Sequence, residues 1–161
     1  MQIGIAGIGK MGAAIAQRLI EAGHTVTVWN RSAAKLKAVT DAGAKAVATP
    51  AELANKSEAI ISILTDAGAV DTVYNGADGL LAGDVGGKLF IEMSTVQPHT
   101  EVALAEQVRA KGAALVECPV GGSTGPARQG KLIGLMGAAP ADAARAKPIL
   151  DQLCRRTQHA G

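Results

Sequence analysis

Aromatic side chains are nearly missing from these 161 residues: Trp29, Tyr74 and Phe90 are the whole set. Base-stacking platforms cannot be built from so few rings. Sixteen basic residues are scattered among fourteen acidic ones without runs, so the charged stripe of a nucleic-acid binder is lacking as well. Cysteine is equally scarce. Cys118 and Cys154 are too few for a disulfide framework and show no metal-ligand spacing, which leads us to expect a reducing, cytoplasmic setting and no metal site. Long apolar runs are absent too. The longest, Ala59 to Leu64, is broken by Ser62 and falls far short of the ~20 residues that cross a bilayer. No basic leader precedes the apolar start at Met1-Gln2-Ile3, so no cleavable signal peptide is expected. What is there, 48% hydrophobic and 19% charged residues at a net charge of +2, fits one soluble globular domain with an aliphatic core. Neither nucleic acid nor membrane is expected as a partner.

Glycine is the residue in excess, with 20 copies against a norm of about 7%. Many sit at the ends of short segments rich in Ile, Leu and Val: Gln2–Ala6, Thr25–Trp29, Lys45–Val47, Ala59–Leu64, Leu89–Met93, Ala113–Glu117 and Leu132–Met136. Stretches of helical spacing separate them, and this alternation implies βαβ units. Several strands are apolar nearly throughout, as a parallel sheet covered on both faces requires. The expected fold is α/β, a doubly wound and mostly parallel sheet in a single domain. Lys10 to Ala22 places Met11, Ile15 and Leu19 on one helical face, and Gly23 ends it. Thr49-Pro50-Ala51-Glu52 reads as a capping box, and a helix is expected from about Pro98 to Lys111. Asn75 to Gly87 reads as a loop around a short apolar turn at Leu80-Leu81.

The first strand runs directly into Gly7-Ile8-Gly9-Lys10-Met11-Gly12, and then into the first helix. In this G-x-G-x-x-G, Gly7 permits the tight turn and Gly9 lets the backbone approach a pyrophosphate. Gly12 lets helix and strand pack closely. The N–H groups and dipole of the helix N-terminus then face the phosphate oxygens. A glycine-rich structural turn is the plainer alternative. After the second strand, at Asn30-Arg31-Ser32, a fingerprint for NAD(H) would place a carboxylate on the ribose. Asn30 can still bond a ribose or phosphate oxygen, and Arg31 offers a planar cationic fork to a 2′-phosphate. NADP(H) is therefore favoured over NAD(H), with a solvated helix-start residue as the other reading of Arg31.

Three further segments complete the pattern: Ile91-Glu92-Met93-Ser94-Thr95-Val96-Gln97-Pro98, Cys118-Pro119-Val120-Gly121-Gly122-Ser123-Thr124-Gly125, and the closing Gln158-His159-Ala160-Gly161. With the glycine turn and Asn30-Arg31-Ser32, they resemble the β-hydroxyacid dehydrogenase family, which includes 3-hydroxyisobutyrate and 6-phosphogluconate dehydrogenases. The resemblance covers that family's N-terminal Rossmann domain. It implies that Ser94 and Thr95 border the nicotinamide and substrate, and that Leu64-Thr65 border the cofactor's ribose. Helix capping before Pro98 is the competing reading of Ser94 and Thr95. Gly121, Gly122 and Ser123 resemble the loop that holds a small carboxylate substrate. Gly121 departs from the family's usual serine there, and a flexible turn before Pro126 to Gln129 is the structural alternative.

The catalytic residue is unassigned, since the family's lysine falls roughly a dozen residues past a His-x-Gly like His159-Ala160-Gly161. The resemblance thus implies hydride transfer to or from a small β-hydroxyacid, with this chain alone inactive and lacking the family's all-helical second domain. A homo-oligomer formed through the surface left by that domain is expected. The alternative is a non-catalytic NADP-binding or interaction module. A flavoprotein or methyltransferase is disfavoured by the missing carboxylate at position 30. His24, His99 and Cys118 are read as structural. Glu92, alone in an apolar strand, is either desolvated or paired.

Overall fold

A computed structural model describes residues 1–159. Six strands, β1 (Gln2–Ala6), β2 (Thr25–Trp29), β3 (Lys45–Ala46), β4 (Ala59–Ser62), β5 (Leu89–Glu92) and β6 (Ala114–Glu117), form one parallel sheet in the order β3-β2-β1-β4-β5-β6. The order reverses between β1 and β4. Crevices for ligands open at such a point, beyond the carboxyl ends of the strands.

Because side chains alternate across a strand, β4 and β5 each feed two cores. Ile61 and Ile91 face α1 (Lys10–Glu21) and α7 (Pro140–Leu153), while Ile60 and Phe90 face α3 (Pro50–Asn55), α4 (Ala67–Asn75) and α5 (Pro98–Ala110). All four of those strand residues are fully buried. The same alternation puts Ser62 and Glu92, two positions further on, on the α4 and α5 face. Those two pair across the ladder, and Glu92 is in turn opposite Glu117.

The first helix is capped as its spacing predicts, with Gly23 at φ 96° just past it. At α3 the Thr49 hydroxyl accepts from the Glu52 N–H at 3.2 Å, but the Glu52 carboxylate reaches Ala48 N–H rather than Thr49 N–H. A short α2 (Lys37–Asp41) links β2 to β3, and Leu80–Ala82 forms a 3₁₀ turn.

The last third of the chain departs from the expected single sheet. Leu132–Met136 is not a seventh strand of the parallel sheet but β8 of a separate one, between β7 (Val120–Gly121) and β9 (Cys154–His159). β7 runs antiparallel to it and β9 parallel. In β8, Leu132, Gly134 and Met136 turn inward while Ile133 and Leu135 are 45% and 50% exposed. The segment Thr124–Arg128 is a helix, α6, packed on α1 and tied to it by Arg128 to Glu21 at 3.0 Å. Among the described residues no helix is long and apolar enough to cross a membrane.

Candidate cofactor-binding site

The turn Gly7 to Gly12 joins β1 to α1, and its three glycines stand there for different reasons. Gly7 has φ 101°, and a Cβ on it would collide with the Ile63 carbonyl. At Gly12 a Cβ would collide with the Gly7 carbonyl, so helix and turn could not close. Both are demanded by packing. Gly9 is not: it has an extended backbone, is exposed, and has open space for at least 4 Å where its Cβ would be. It caps α1 with no side chain, and the first helical bond runs from Ala13 N–H to the Gly9 carbonyl. The N–H groups of Lys10, Met11 and Gly12 consequently have no partner among the described residues, and no acidic side chain occupies that first turn. A free helix N-terminus therefore faces open space.

Neighbouring loops are stitched to this turn along the carboxyl edge of the sheet. The Asn30 Oδ1 accepts from Ile8 N–H at 2.9 Å, and its Nδ2 donates to the Ser32 carbonyl at 3.0 Å. Its amide is thus spent inside the protein, bracing the turn. Arg31 and Ser32 are exposed, and Arg31 has no ion-pair partner among the described residues. On the other side, Ser94 Oγ accepts from Leu64 N–H at 2.8 Å, binding the loop after β4 to the loop after β5. The capping reading of Ser94 and Thr95 falls here: the residue before α5 is Gln97, and no side chain caps that helix. Ser94 is buried, whereas Thr65 and Thr95 are exposed.

Residues 7–12, 30–32, 64–65 and 94–95 thus lie along one edge. Gly121, Gly122 and Ser123 run from the end of β7 to the start of α6, all exposed, with Gly122 at φ 130°. Their link to the edge is Cys118 N–H on the Glu92 carbonyl at 2.8 Å. His159 Nε2 contacts the Ala138 carbonyl, while Ala160 and Gly161 lie outside the described residues.

Beneath the edge lies a polar cluster of which sequence reasoning had found only Glu92. Its carboxylate Oε1 accepts from Ser94 N–H at 2.9 Å and from the Ser62 hydroxyl at 3.3 Å, and Ser62 Oγ meets the Tyr74 hydroxyl at 2.6 Å. Glu101, from the first turn of α5, is buried, and burial first, then the neighbouring Glu92 carboxylate, pushes its carboxyl up to about 9. Burial, then the charge of Glu92, raises Tyr74 well above its usual 10, and the same two causes raise Glu117. Cys118 is pushed to about 12 by burial, so its thiol is inert at neutral pH. Among the described residues no three His, Cys, Asp or Glu side chains converge to hold a metal ion. The signal for this cluster was the period of two in β4 and β5, which puts Ser62 and Glu92 on the α5 face.

A doubly wound parallel sheet with a glycine turn and a bare helix N-terminus at its switch point defines a dinucleotide-binding domain of the Rossmann class. Within that class, the family model of the NAD binding domain of 6-phosphogluconate dehydrogenase matches residues 2–161, and the chain belongs to this family. It is 36% identical over 159 residues to 3-hydroxyisobutyrate dehydrogenase of Pseudomonas aeruginosa, covering 99% of this chain and 53% of that protein. To glyoxylate/succinic semialdehyde reductase 1 of Arabidopsis thaliana it is 36% identical over 161 residues, covering 100% of this chain and 56% of the relative. The solved structure of Psf3 in complex with NADP+ and 2-OPP superposes with a TM-score of 0.94 at 29% identity, over 98% of this chain and 56% of that one. The chain spans about half the length of the curated relatives it matches.

Proposed function

We propose that this chain is the cofactor-binding half of an NADP(H)-dependent oxidoreductase that moves hydride to or from a small β-hydroxyacid or its semialdehyde. The observation that carries this reading is Gly9: packing does not require a glycine there, yet a side chain would fill the space in front of three unpaired N–H groups. A pyrophosphate fits that space and that charge. In this reading Gly7, Ile8, Gly9, Lys10, Met11 and Gly12 hold the pyrophosphate, with Asn30 holding the turn in shape. Arg31 and Ser32 receive the adenosine ribose and its 2′-phosphate. Leu64, Thr65 and Thr95 border the nicotinamide half, and Ser94 with Gly121, Gly122 and Ser123 faces the substrate carboxylate. Support for the phosphorylated cofactor comes from the exposed, unpaired Arg31 and from the NADP+ held by Psf3.

The nicotinamide supplies the hydride, and the protein supplies orientation and exclusion of competing geometry. The group that moves the hydroxyl proton is assigned to the half that the relatives have beyond this match, so these 161 residues bind cofactor and turn nothing over. The scarcity of cysteine, with both thiols free and buried, supports the reducing cytoplasm as the compartment. The exposed Ile133 and Leu135 support self-association through the second sheet. Titration of the chain with NADPH and with NADH, read by the fluorescence of the reduced nicotinamide, tests the reading. Saturable NADPH binding with weaker NADH is expected. Equal or tighter NADH removes the argument from Arg31, and no binding of either overturns the function.

A further inference from the structure

We propose that Glu101 is a positioning residue: protonated and buried, it donates to Glu92, and through Glu92 it holds the Ser94–Thr95 turn in the shape that receives the nicotinamide half of the cofactor. The inference rests on the ligand-edge reading of that turn. It starts from an anomaly of the packing. Glu92, with 0% exposure, and Glu101, with 6%, are buried without an ion pair among the described residues, and each has a buried oxygen, Oε2, with no hydrogen-bond partner there. Two ionised carboxylates in one apolar setting repel, whereas one shared proton satisfies both oxygens at once.

Glu92 Oε1 accepts from Ser94 N–H and Ser62 Oγ, which favours Glu101 as the carrier of the shared proton. Glu101, whose carboxyl is raised to about 9 by burial first and by Glu92 next, keeps its proton at neutral pH. With the proposed Glu101–Glu92 bond, the line continues through the Ser94 N–H that donates to Glu92 and the Leu64 N–H that donates to Ser94 Oγ. Both loops that border the proposed nicotinamide position hang from this pair.

The groups facing it come from every packed element. Tyr74 on α4 and Glu117 on β6 face Glu92, and Glu92 and Glu117 face Glu101. A cavity of about 470 Å³ opens beside Glu101, lined also by Glu106, Arg109, Glu117 and Asp142. Burial also displaces Tyr74, Cys118 and Cys154 upward, so the transition is read at the Glu101 carboxyl itself. Above it, the proton is lost, the two carboxylates repel, and the Ser94 turn is released.

Carbon-detected NMR of the chain from pH 7 to 10.5, without cofactor, reads the pair directly. The Glu101 carboxyl carbon and the Ser94 Cβ are expected to titrate together with a midpoint near 9. Glu101→Gln keeps a permanent donor and should leave Ser94 Cβ flat, while Glu101→Leu should show the released position at every pH. In parallel, the NADPH dissociation constant should weaken about tenfold across the same midpoint, the loss of one hydrogen bond to a charged group. Glu101→Gln should bind as the parent does at pH 7 and lose the step. A Ser94 Cβ that does not move in the parent, or that moves equally in Glu101→Gln, overturns the proposal. If NADPH fails to bind at any pH while the Ser94 step is present, the ligand-edge reading fails and takes the positioning role with it, leaving the proton-sharing pair alone.

Discussion

The amide of Asn30 holds the turn that follows β1: its Oδ1 takes the Ile8 N–H at 2.9 Å, and its Nδ2 reaches the Ser32 carbonyl at 3.0 Å. One side chain thus fixes two loops, on either side of the path a dinucleotide would take. Asn30→Asp keeps the acceptor for Ile8 but loses the donor to Ser32, and it sets a negative charge beside Arg31. NADPH should then bind at least about tenfold more weakly, with NADH unchanged or tighter. Isothermal titration with both cofactors checks it. Asn30→Ala, by contrast, orphans a buried N–H at a cost of about 1–3 kcal/mol and should weaken both.

The three glycines of the turn separate folding from binding. Gly9→Ala meets nothing within 4 Å and adopts an ordinary φ of −78°, so its melting temperature should stay close to the parent's, within about 0.5 kcal/mol. NADPH binding should nevertheless be lost. Gly7→Ala and Gly12→Ala run into backbone carbonyls and should lower stability by several times that amount, about 2 kcal/mol or more. Calorimetric melts beside NADPH titration distinguish the two outcomes. A Gly9→Ala chain that binds NADPH normally would remove the pyrophosphate from the turn.

The sheet was legible in the sequence wherever one strand was buried on both faces. β1 and β2 fall on the residues their apolar runs mark, because Ile3, Ile5, Val26 and Val28 have nowhere to go but a core. β9 was not legible. Its sequence Cys-Arg-Arg-Thr-Gln-His is polar and largely exposed, and it is a strand only because β8 offers a parallel edge. The second sheet was missed for a related reason: Leu132–Met136 reads as a strand, but a period of two does not say which sheet it joins. At the candidate site, the glycine turn announced itself because its spacing is fixed by backbone geometry. Glu101 did not, since Glu92 stands nine residues earlier on another element, and only the packing of α5 on β6, the neighbour of β5, brings the two near each other.

The raised carboxyl of Glu101 makes stability depend on pH in a defined direction. In the unfolded chain it titrates near its usual 4.5, and in the folded chain near 9. Between those values the folded state holds a proton that the unfolded state has given up, so stability falls as pH rises from about 4.5 to about 9 and levels off beyond. Glu101→Gln removes that contribution. Urea melts at pH 5, 7 and 9 should show the parent losing stability steadily and the variant losing less over the same window. Parallel curves for the two proteins would mean that Glu101 is not protonated in the fold.

Ile133 and Leu135 leave the second sheet by the same face of β8, 45% and 50% exposed, while Leu132 and Met136 on the other face are 0% and 8% exposed. Two exposed aliphatic side chains one pleat apart, on a strand held between β7 and β9, form an apolar strip rather than an isolated surface residue. Water is unfavourable for such a strip, and a second copy offers the nearest apolar surface. Sedimentation velocity from low to high micromolar chain should therefore show a rise in weight-average mass. Leu135→Glu puts a charge on the strip without touching the inward face, so its melting temperature should hold while the association is lost. A parent chain that sediments as a monomer across the whole range would show that this face is covered by nothing of its own kind.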